Sequence, residues 1–164
     1  MMYEPLVSII IPTYNRPEIL SRTINNVLSQ TWRNTQIIII DDGPSKESSK
    51  IIQSFNDSRI HYNKTEEHLG CADARMRGVQ LSEGEFIAFL DDDDEWDNNY
   101  LSNQIKVFKE NPSLDVVICN YEVNNTKGRT IARNMRAFSI DFKKMIHIGP
   151  GPFFQCCMFR NKIL

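Results

Sequence analysis

The chain has 164 residues, 41% hydrophobic and 24% charged, with 7 Gly and 7 Pro. That is length for one domain with a real core, and it excludes collagen-like, low-complexity and disordered chains. Nineteen Lys and Arg against 21 Asp and Glu leave a formal net charge of −2, so no bulk field draws the protein to nucleic acid or anionic lipid, and an anionic ligand has to be held locally.

From the N-terminus, residues 6–11 form a β-branched run without alternation, the pattern of a strand buried on both faces, which Pro12 is expected to stop. The loop Thr13-Tyr14-Asn15-Arg16 leads to Pro17, well suited to open a helix because its missing N–H would be unpaired there anyway. Ile19, Leu20, Thr23, Ile24, Val27 and Leu28 then give one stripe at helical period. A second buried strand, residues 37–40, ends in Asp41-Asp42-Gly43, and Ser45 is expected to cap a helix reaching about Phe55. A short strand is expected over residues 59–62. Residues 70–81 read as a helix whose small residues Ala72, Ala74 and Gly78 allow close approach to a sheet, and Glu83-Gly84-Glu85 ends it. Strand 86–90 follows, then the acidic run 91–95, then a helix capped by Asn98 or Asn99 that runs through Lys109 and stops at Asn111-Pro112. A strand over 114–119 is followed by a hairpin across Asn124-Asn125-Thr126-Lys127-Gly128.

Strands alternating with helices of this length predict an α/β protein, a three-layer α/β/α sandwich with a mostly parallel central sheet, as a single domain over residues 1–164. In such sheets ligands sit outside the C-terminal ends of the strands, near the point where strand order reverses. Residues 13–16, 41–43 and 91–94 each follow a buried strand directly and so converge on one edge. No apolar run approaches the ~20 residues that span a bilayer. The opening Met1-Met2-Tyr3-Glu4-Pro5 lacks the basic and apolar regions of a signal peptide, which predicts a cytoplasmic protein. Cys71, Cys119, Cys156 and Cys157 have no C-x-x-C spacing and read as reduced thiols, with zinc not expected.

Four consecutive aspartates and Glu95 crowd like charge into a few ångströms. Two readings stand: alternate carboxylates holding a hard divalent cation, which takes oxygen ligands and leaves positions for substrate phosphates, or a solvated acidic turn. Asp41-Asp42-Gly43 is either an acceptor pair for a base N–H or ribose hydroxyl, with Gly43 allowing a sharp turn, or an Asx turn leaving a strand. Tyr14 either stacks on a base or packs over the strand end. Arg75 and Arg77 lie two apart on a helix, so either one of them reaches a diphosphate or both are surface charge. His61, His68 and His147 have no metal-ligand spacing and read as surface or packing residues. The phosphate-loop G-x-x-x-x-G-K-[ST] and the dinucleotide G-x-G-x-x-G are absent. The loop after the first strand is also a poor match to the glycine-rich basic loop of a nucleotidyltransferase.

The ordered strings Val7-Ser8-Ile9-Ile10-Ile11-Pro12-Thr13-Tyr14-Asn15-Arg16, Ile37-Ile38-Ile39-Ile40-Asp41-Asp42-Gly43, Gly70-Cys71-Ala72-Asp73-Ala74-Arg75 and Gly84-Glu85-Phe86-Ile87-Ala88-Phe89-Leu90-Asp91-Asp92-Asp93-Asp94 resemble the family two glycosyltransferases of GT-A fold. The resemblance covers roughly the whole chain. It implies a transferase dependent on Mn2+ or Mg2+ that takes a nucleotide-diphosphate sugar, a UDP-sugar favoured, and inverts the anomeric centre. The acceptor it implies is a saccharide or a lipid-linked saccharide, in polysaccharide assembly at the inner face of the membrane, with peripheral membrane contact as an accompanying expectation. A homo-oligomer is expected if truncation leaves the sheet edge or the Phe153-Phe154 region uncovered. By that resemblance Pro12 and Tyr14 line the nucleobase pocket, Asp42 hydrogen-bonds the base, Lys64 reaches the nucleotide, Arg75 matches the family's arginine and Asp92 lies near the ribose. Asp91 and Asp93 match the outer carboxylates of the D-x-D motif, Asp93 being the first choice for metal contact. The family's usual asparagine after that arginine is Met76 here. The family's catalytic base is an acidic residue in a later segment. After Glu122 the only acid is Asp141, which reads as a helix N-cap, so the base is expected beyond Leu164 and the chain is expected to be truncated at its C-terminus. A nucleotide-sugar binding fragment without transfer activity is the alternative.

Overall fold

The computed structural model describes residues 3–124, 130–133 and 154–164. In chain order the elements are β1 (Val7–Thr13), α1 (Pro17–Leu28), β2 (Thr35–Asp41), α2 (Glu47–Ser54), β3 (Ile60–Lys64), α3 (Cys71–Gln80), β4 (Phe86–Phe89), α4 (Tyr100–Glu110), β5 (Val116–Ile118), β6 (Tyr121–Asn124), β7 (Thr130–Arg133) and β8 (Cys157–Arg160). Short 3-10 turns, Phe154–Cys156 and Asn161–Ile163, flank β8. The expected hairpin is present as the antiparallel pair β6 and β7, while its turn lies outside the described residues, as do Asp141 and His147.

Six strands form one sheet in the order β3-β2-β1-β4-β8-β5. β3, β2, β1 and β4 are mutually parallel, and β8 enters antiparallel between β4 and β5. Every residue of β1, β2 and β4 is buried, which is why these segments read as unbroken apolar runs. Ile9, Ile11, Ile37 and Ile39 pack against Leu20, Ile24 and Val27 of α1, Ile52 of α2, and Leu101, Ile105 and Phe108 of α4. The alternate residues Ile10, Ile38 and Ile40 face the other way, toward Ala74, Val79 and Leu81 of the α3 segment. Helices thus cover both faces of the sheet, giving the three layers.

Two expectations change. β1 does not stop at Pro12 but runs on to Thr13, with Pro12 opposite Ile40 of β2. Ile10 accepts from Leu90 N–H on the β4 side. Pro12, two residues on, faces the same side, beyond the last β1–β4 pair, Ile10 with Phe89, so its missing N–H breaks no ladder bond. Neither Asn98 nor Asn99 caps α4 with its side chain. The N–H of Asn99 donates to Asp97 Oδ1 at 2.8 Å and that of Leu101 to Gln30 Oε1 at 3.2 Å, so the cap comes from Asp97 and from the loop after α1. At α2, Ser45 Oγ accepts from Glu47 N–H at 3.1 Å, as expected of a residue at the helix start.

Of the small residues of α3, Ala72 is exposed, whereas Ala74 and Gly78 face the sheet. A Cβ at Gly78 would lie 2.3 Å from Ile10 Cγ2, and Ile10 is fully buried with nowhere to move. Gly78→Val is therefore expected to lower unfolding stability by about 1–3 kcal/mol or more. Chemical denaturation measures it, and an unchanged midpoint would mean that α3 rides off the sheet at no cost.

Candidate functional site

The strand order reverses between β1 and β4, and the loops leaving their C-terminal ends meet there. The β1 loop is held in one shape. Asn15 sits in the left-handed region at φ 52°, which asparagine tolerates, and its Oδ1 accepts from Ser45 N–H at 3.2 Å. Gly43 is needed there for space: a Cβ would stand 2.6 Å from Asn15 Oδ1 and 2.7 Å from its backbone N. Its φ is not positive, so the requirement is contact with Asn15 and not the sharp turn expected from sequence. This loop shape sends Arg16 across to the β4 loop, where its Nη1 lies 3.3 Å from Asp92 Oδ1 and 2.9 Å from Asp93 Oδ2.

The four aspartates after β4 diverge because the chain turns at once, Asp94 N–H donating to the Asp91 carbonyl at 3.1 Å. Asp91 Oδ1 accepts from Arg75 Nη2 at 2.5 Å. Asp92 turns into the fold, its Oδ2 accepting from Thr13 Oγ1 and its carbonyl from Thr23 Oγ1, both at 2.7 Å. Asp93 is exposed, with Arg16 beside it. Asp94 Oδ2 accepts from Gln155 Nε2 at 2.7 Å. Gln155 belongs to the turn before β8, and its carbonyl accepts from Trp96 Nε1 at 2.8 Å.

Burial pushes the Asp92 carboxyl up from its ordinary value, against the hydrogen bond from Thr13 and the charge of Arg16. Burial also pushes Asp94 up, partly offset by the Gln155 amide and reinforced by the charges of Asp91, Asp93 and Asp92. Raised carboxyls weaken the fold above their folded pKa and cease to do so once protonated. Asp94→Asn, which keeps an oxygen facing Gln155, is therefore expected to raise stability at pH 7. The gain should shrink as pH falls toward about 4. Thermal melts of both proteins across that range test the sign; a variant less stable at neutral pH would contradict it.

A second cluster borders the first. Asp42 is buried and its carboxylate gathers the segment after β3: Oδ1 accepts from Thr65 Oγ1 and Leu69 N–H, each at 2.8 Å, and Oδ2 from Gly70 N–H at 2.9 Å. His68 Nδ1 lies 2.7 Å from Oδ2, and the His68 ring meets Tyr14 at 4.8 Å between centroids. Burial would raise the Asp42 carboxyl, but the N–H groups of Leu69 and Gly70, the Thr65 hydroxyl and His68 outweigh it and hold it below the ordinary value. Asp41 Oδ1 accepts from Gly43 N–H at 3.1 Å, and its Oδ2 accepts from Tyr62 Oη at 2.8 Å and faces Lys64 Nζ at 3.2 Å. Lys64 donates in addition to the carbonyls of Gly43 and Ser45.

Of the residues named from sequence, Asp91, Asp92, Asp93 and Arg75 come together directly, with Pro12 at the adjoining end of β1. Tyr14 and Asp42 meet through His68. Lys64 is turned onto Asp41 and the following loop. Arg77 is exposed, on a different face of α3 from Arg75. Sequence reasoning gave no role to Arg16, His68 or Gln155. His68 is exposed, as expected, but engages Asp42, which its lack of ligand spacing did not reveal. Gln155 is 61 residues from its partner Asp94, and no local pattern announces it.

The donor set suits a hard divalent ion held in part by substrate. Among the described residues no three His, Cys, Asp or Glu side chains form a ready-made metal cage. What the rim offers is carboxylate oxygen at alternate positions, Asp91 and Asp93, the arrangement for an ion that completes its shell with water and phosphate.

Comparison with known proteins agrees with this fold. A solved Staphylococcus aureus TarS in complex with UDP-GlcNAc superposes with a TM-score of 0.75 at 20% identity, over 96% of this chain and 46% of that one. The mannosyltransferase PcManGT from Pyrobaculum calidifontis, in complex with GDP-Man and Mn2+, gives 0.73 at 18% identity over 99% and 46%. Both share the fold. WfgD of Escherichia coli, a UDP-Glc:alpha-D-GlcNAc-diphosphoundecaprenol beta-1,3-glucosyltransferase, is 39% identical over 127 residues, 77% of this chain and 50% of its own length. An uncharacterized glycosyltransferase of Rickettsia typhi is 33% identical over 130 residues, 79% of this chain and 40% of its own. The chain spans about half the length, or less, of these curated relatives. The profile described as Glycosyl transferase family 2 matches residues 8–164, spanning every strand that builds the rim, and the chain therefore belongs to the family 2 glycosyltransferases.

Proposed function

We propose that this chain is the donor-binding part of an inverting glycosyltransferase that uses a UDP-sugar, a hexose being the sugar type favoured, in assembling a polysaccharide on a saccharide or lipid-linked acceptor. The observation that carries the reading is the meeting of three strand-end loops: Arg16 of the β1 loop reaches Asp92 and Asp93, Asn15 of the same loop accepts from Ser45, and Tyr14 meets His68 beside Asp42. The UDP-sugar donor and lipid-diphosphate acceptor are taken from the name of WfgD. A cytoplasmic setting at the inner membrane face follows from that acceptor chemistry; among the described residues no helix is long and apolar enough to cross a membrane.

In this reading Asp91 and Asp93 would hold the divalent ion, which when bound supplies positive charge against the charge growing on the diphosphate as the sugar bond breaks. The half-exposed Tyr14 ring offers a face for a base. Asp42 acts by fixing residues 65–70, so that His68 and the backbone of Leu69 and Gly70 keep one position beside that ring. Pro12 lines the same strand end, and Lys64 sets the Gly43 loop from below. Inversion in a single displacement needs a carboxylate to take the acceptor proton. Residues 123–164 contain Asp141 as their only acid, so we assign the base to the portion of the relatives' length that this chain does not span.

Calorimetry with UDP and GDP, with and without Mn2+, tests the donor site: manganese-dependent binding of UDP is expected, and no binding with metal would overturn it. Transfer is tested on a form of relatives' length with UDP-glucose and a lipid-diphosphate saccharide, product configuration being read by NMR. Binding by this chain without transfer would favour the narrower reading, a nucleotide-sugar binding fragment.

A further inference from the structure

Both outer carboxylates of the rim already carry a guanidinium. Arg75 Nη2 lies 2.5 Å from Asp91 Oδ1, and Arg16 Nη1 lies 2.9 Å from Asp93 Oδ2 and 3.3 Å from Asp92 Oδ1. Arg22 is engaged separately with Glu95. Two arginines therefore stand against four aspartates, and the deficit is the charge of one divalent cation. Arg16 is not positioned by chance: Asn15 in its left-handed conformation, the Asn15–Ser45 hydrogen bond and the absence of a Cβ at Gly43 fix the loop that carries it. The Arg16 carbonyl also accepts from Leu20 N–H at 3.0 Å at the start of α1, while its side chain makes no cap there and is left for the aspartates.

We propose, resting on the donor-site reading above, that Arg16 is an internal counter-ion that competes with the divalent cation for Asp93, so that cation and nucleoside diphosphate bind in concert and not independently. A guanidinium and a metal ion cannot share one carboxylate oxygen without repelling each other. In the nucleotide-free protein a cation that takes Asp93 Oδ2 must displace Arg16, and one at the other oxygen sits against its positive charge, so either way it binds weakly. A diphosphate removes that obstacle, because the displaced guanidinium gains a doubly charged anion for which its planar fork is well matched. The coupling is reciprocal by thermodynamic necessity: the factor by which UDP tightens Mn2+ equals the factor by which Mn2+ tightens UDP. The arrangement keeps Asp93 paired and cation binding weak until a donor arrives.

The test is Mn2+ binding to the full chain, read from the electron paramagnetic resonance signal of free Mn2+, for wild type and Arg16→Gln, each with and without UDP. Arg16 is half exposed, so the variant should fold, as circular dichroism will verify; Arg16→Ala removes the same charge and replaces it should the glutamine variant fail. Loss of Arg16 is expected to tighten binding of Mn2+ alone by about fivefold or more, the scale of removing one close like charge and one ion pair. The tightening produced by UDP should shrink by a similar or larger factor. Arg16→Lys, which keeps the charge, should stay close to wild type. Equal affinity of wild type and Arg16→Gln for Mn2+ alone, with UDP-promoted Mn2+ binding intact in wild type, would overturn the counter-ion role and leave the donor site standing. No UDP-promoted Mn2+ binding in wild type would overturn both.

Discussion

Asp93→Asn is expected to abolish manganese-dependent binding of UDP, weakening it by about 100-fold or more, with little change in stability. The magnitude follows from the several kcal/mol that a metal ion contributes to holding a phosphoryl group, which is lost when one of two carboxylate ligands becomes a neutral amide. The selectivity follows from position. Asp93 is exposed and its protein partner is Arg16, a surface contact of the kind that contributes less than about 1 kcal/mol to folding. Asp92, one residue earlier, has the reverse character: buried, bonded to Thr13 and Arg16, with its carbonyl fixing Thr23 of α1. Its amide variant should alter stability more than metal affinity. Calorimetry and a thermal melt on the pair separate the two roles, and unchanged Mn2+ and UDP binding in Asp93→Asn would remove that residue from the metal site.

The second large effect is at Asp42. Asp42→Ala strips the acceptor from Thr65 Oγ1, Leu69 N–H, Gly70 N–H and His68 at once. Leaving partly buried donors unpaired, two of them backbone, should cost about 2–4 kcal/mol in all. The segment before α3 would loosen, and with it the His68 ring against Tyr14, so nucleotide affinity should fall together with stability. Asn at this position keeps one acceptor oxygen but turns an amide NH2 toward a neighbouring donor, so it should recover only part of the loss. The pH dependence has a definite sign. The folded carboxyl titrates below the unfolded value of about 3.9, so its stabilisation is complete above that value and disappears as pH falls through the folded one. A denaturant series at pH 6 and pH 3 should therefore find wild type and Asp42→Ala closer together in acid. An equal gap at both values would show that the carboxylate charge is not what organises the loop.

The interior of the sheet was legible because burial leaves a simple signature. The run Ile37-Ile38-Ile39-Ile40 has one side chain for each face in alternation, and both faces are covered. Pro17 marked the start of α1, and the three strand-end clusters marked the edge where the loops meet. Directions within that edge were not legible. Once β4 ends at Phe89 the two-residue alternation no longer applies, so the inward turn of Asp92 and the outward turn of Asp93 depend on Thr13, Thr23 and Arg16, far away in sequence. The cap of α4 was misread because asparagine is a common cap residue, while the acceptor that completes it, Gln30, lies 71 residues upstream of Leu101. Gly43 had the right type for the wrong reason, since space beside Asn15 and not backbone angle requires it.

The late arrival of β8 has a consequence for biosynthesis. Among the described residues β5 pairs within the sheet only with β8, and β4 gains its second neighbour in the sheet only when residues 157–160 emerge from the ribosome. A nascent chain that has finished α4 thus exposes the bare backbone of β4, a segment apolar on both faces, for the time needed to synthesise some fifty further residues, seconds at ordinary rates of translation. The same stretch delivers Gln155 to Asp94 and Trp96, so one segment supplies both the second neighbour of β4 and the support beneath the acidic rim.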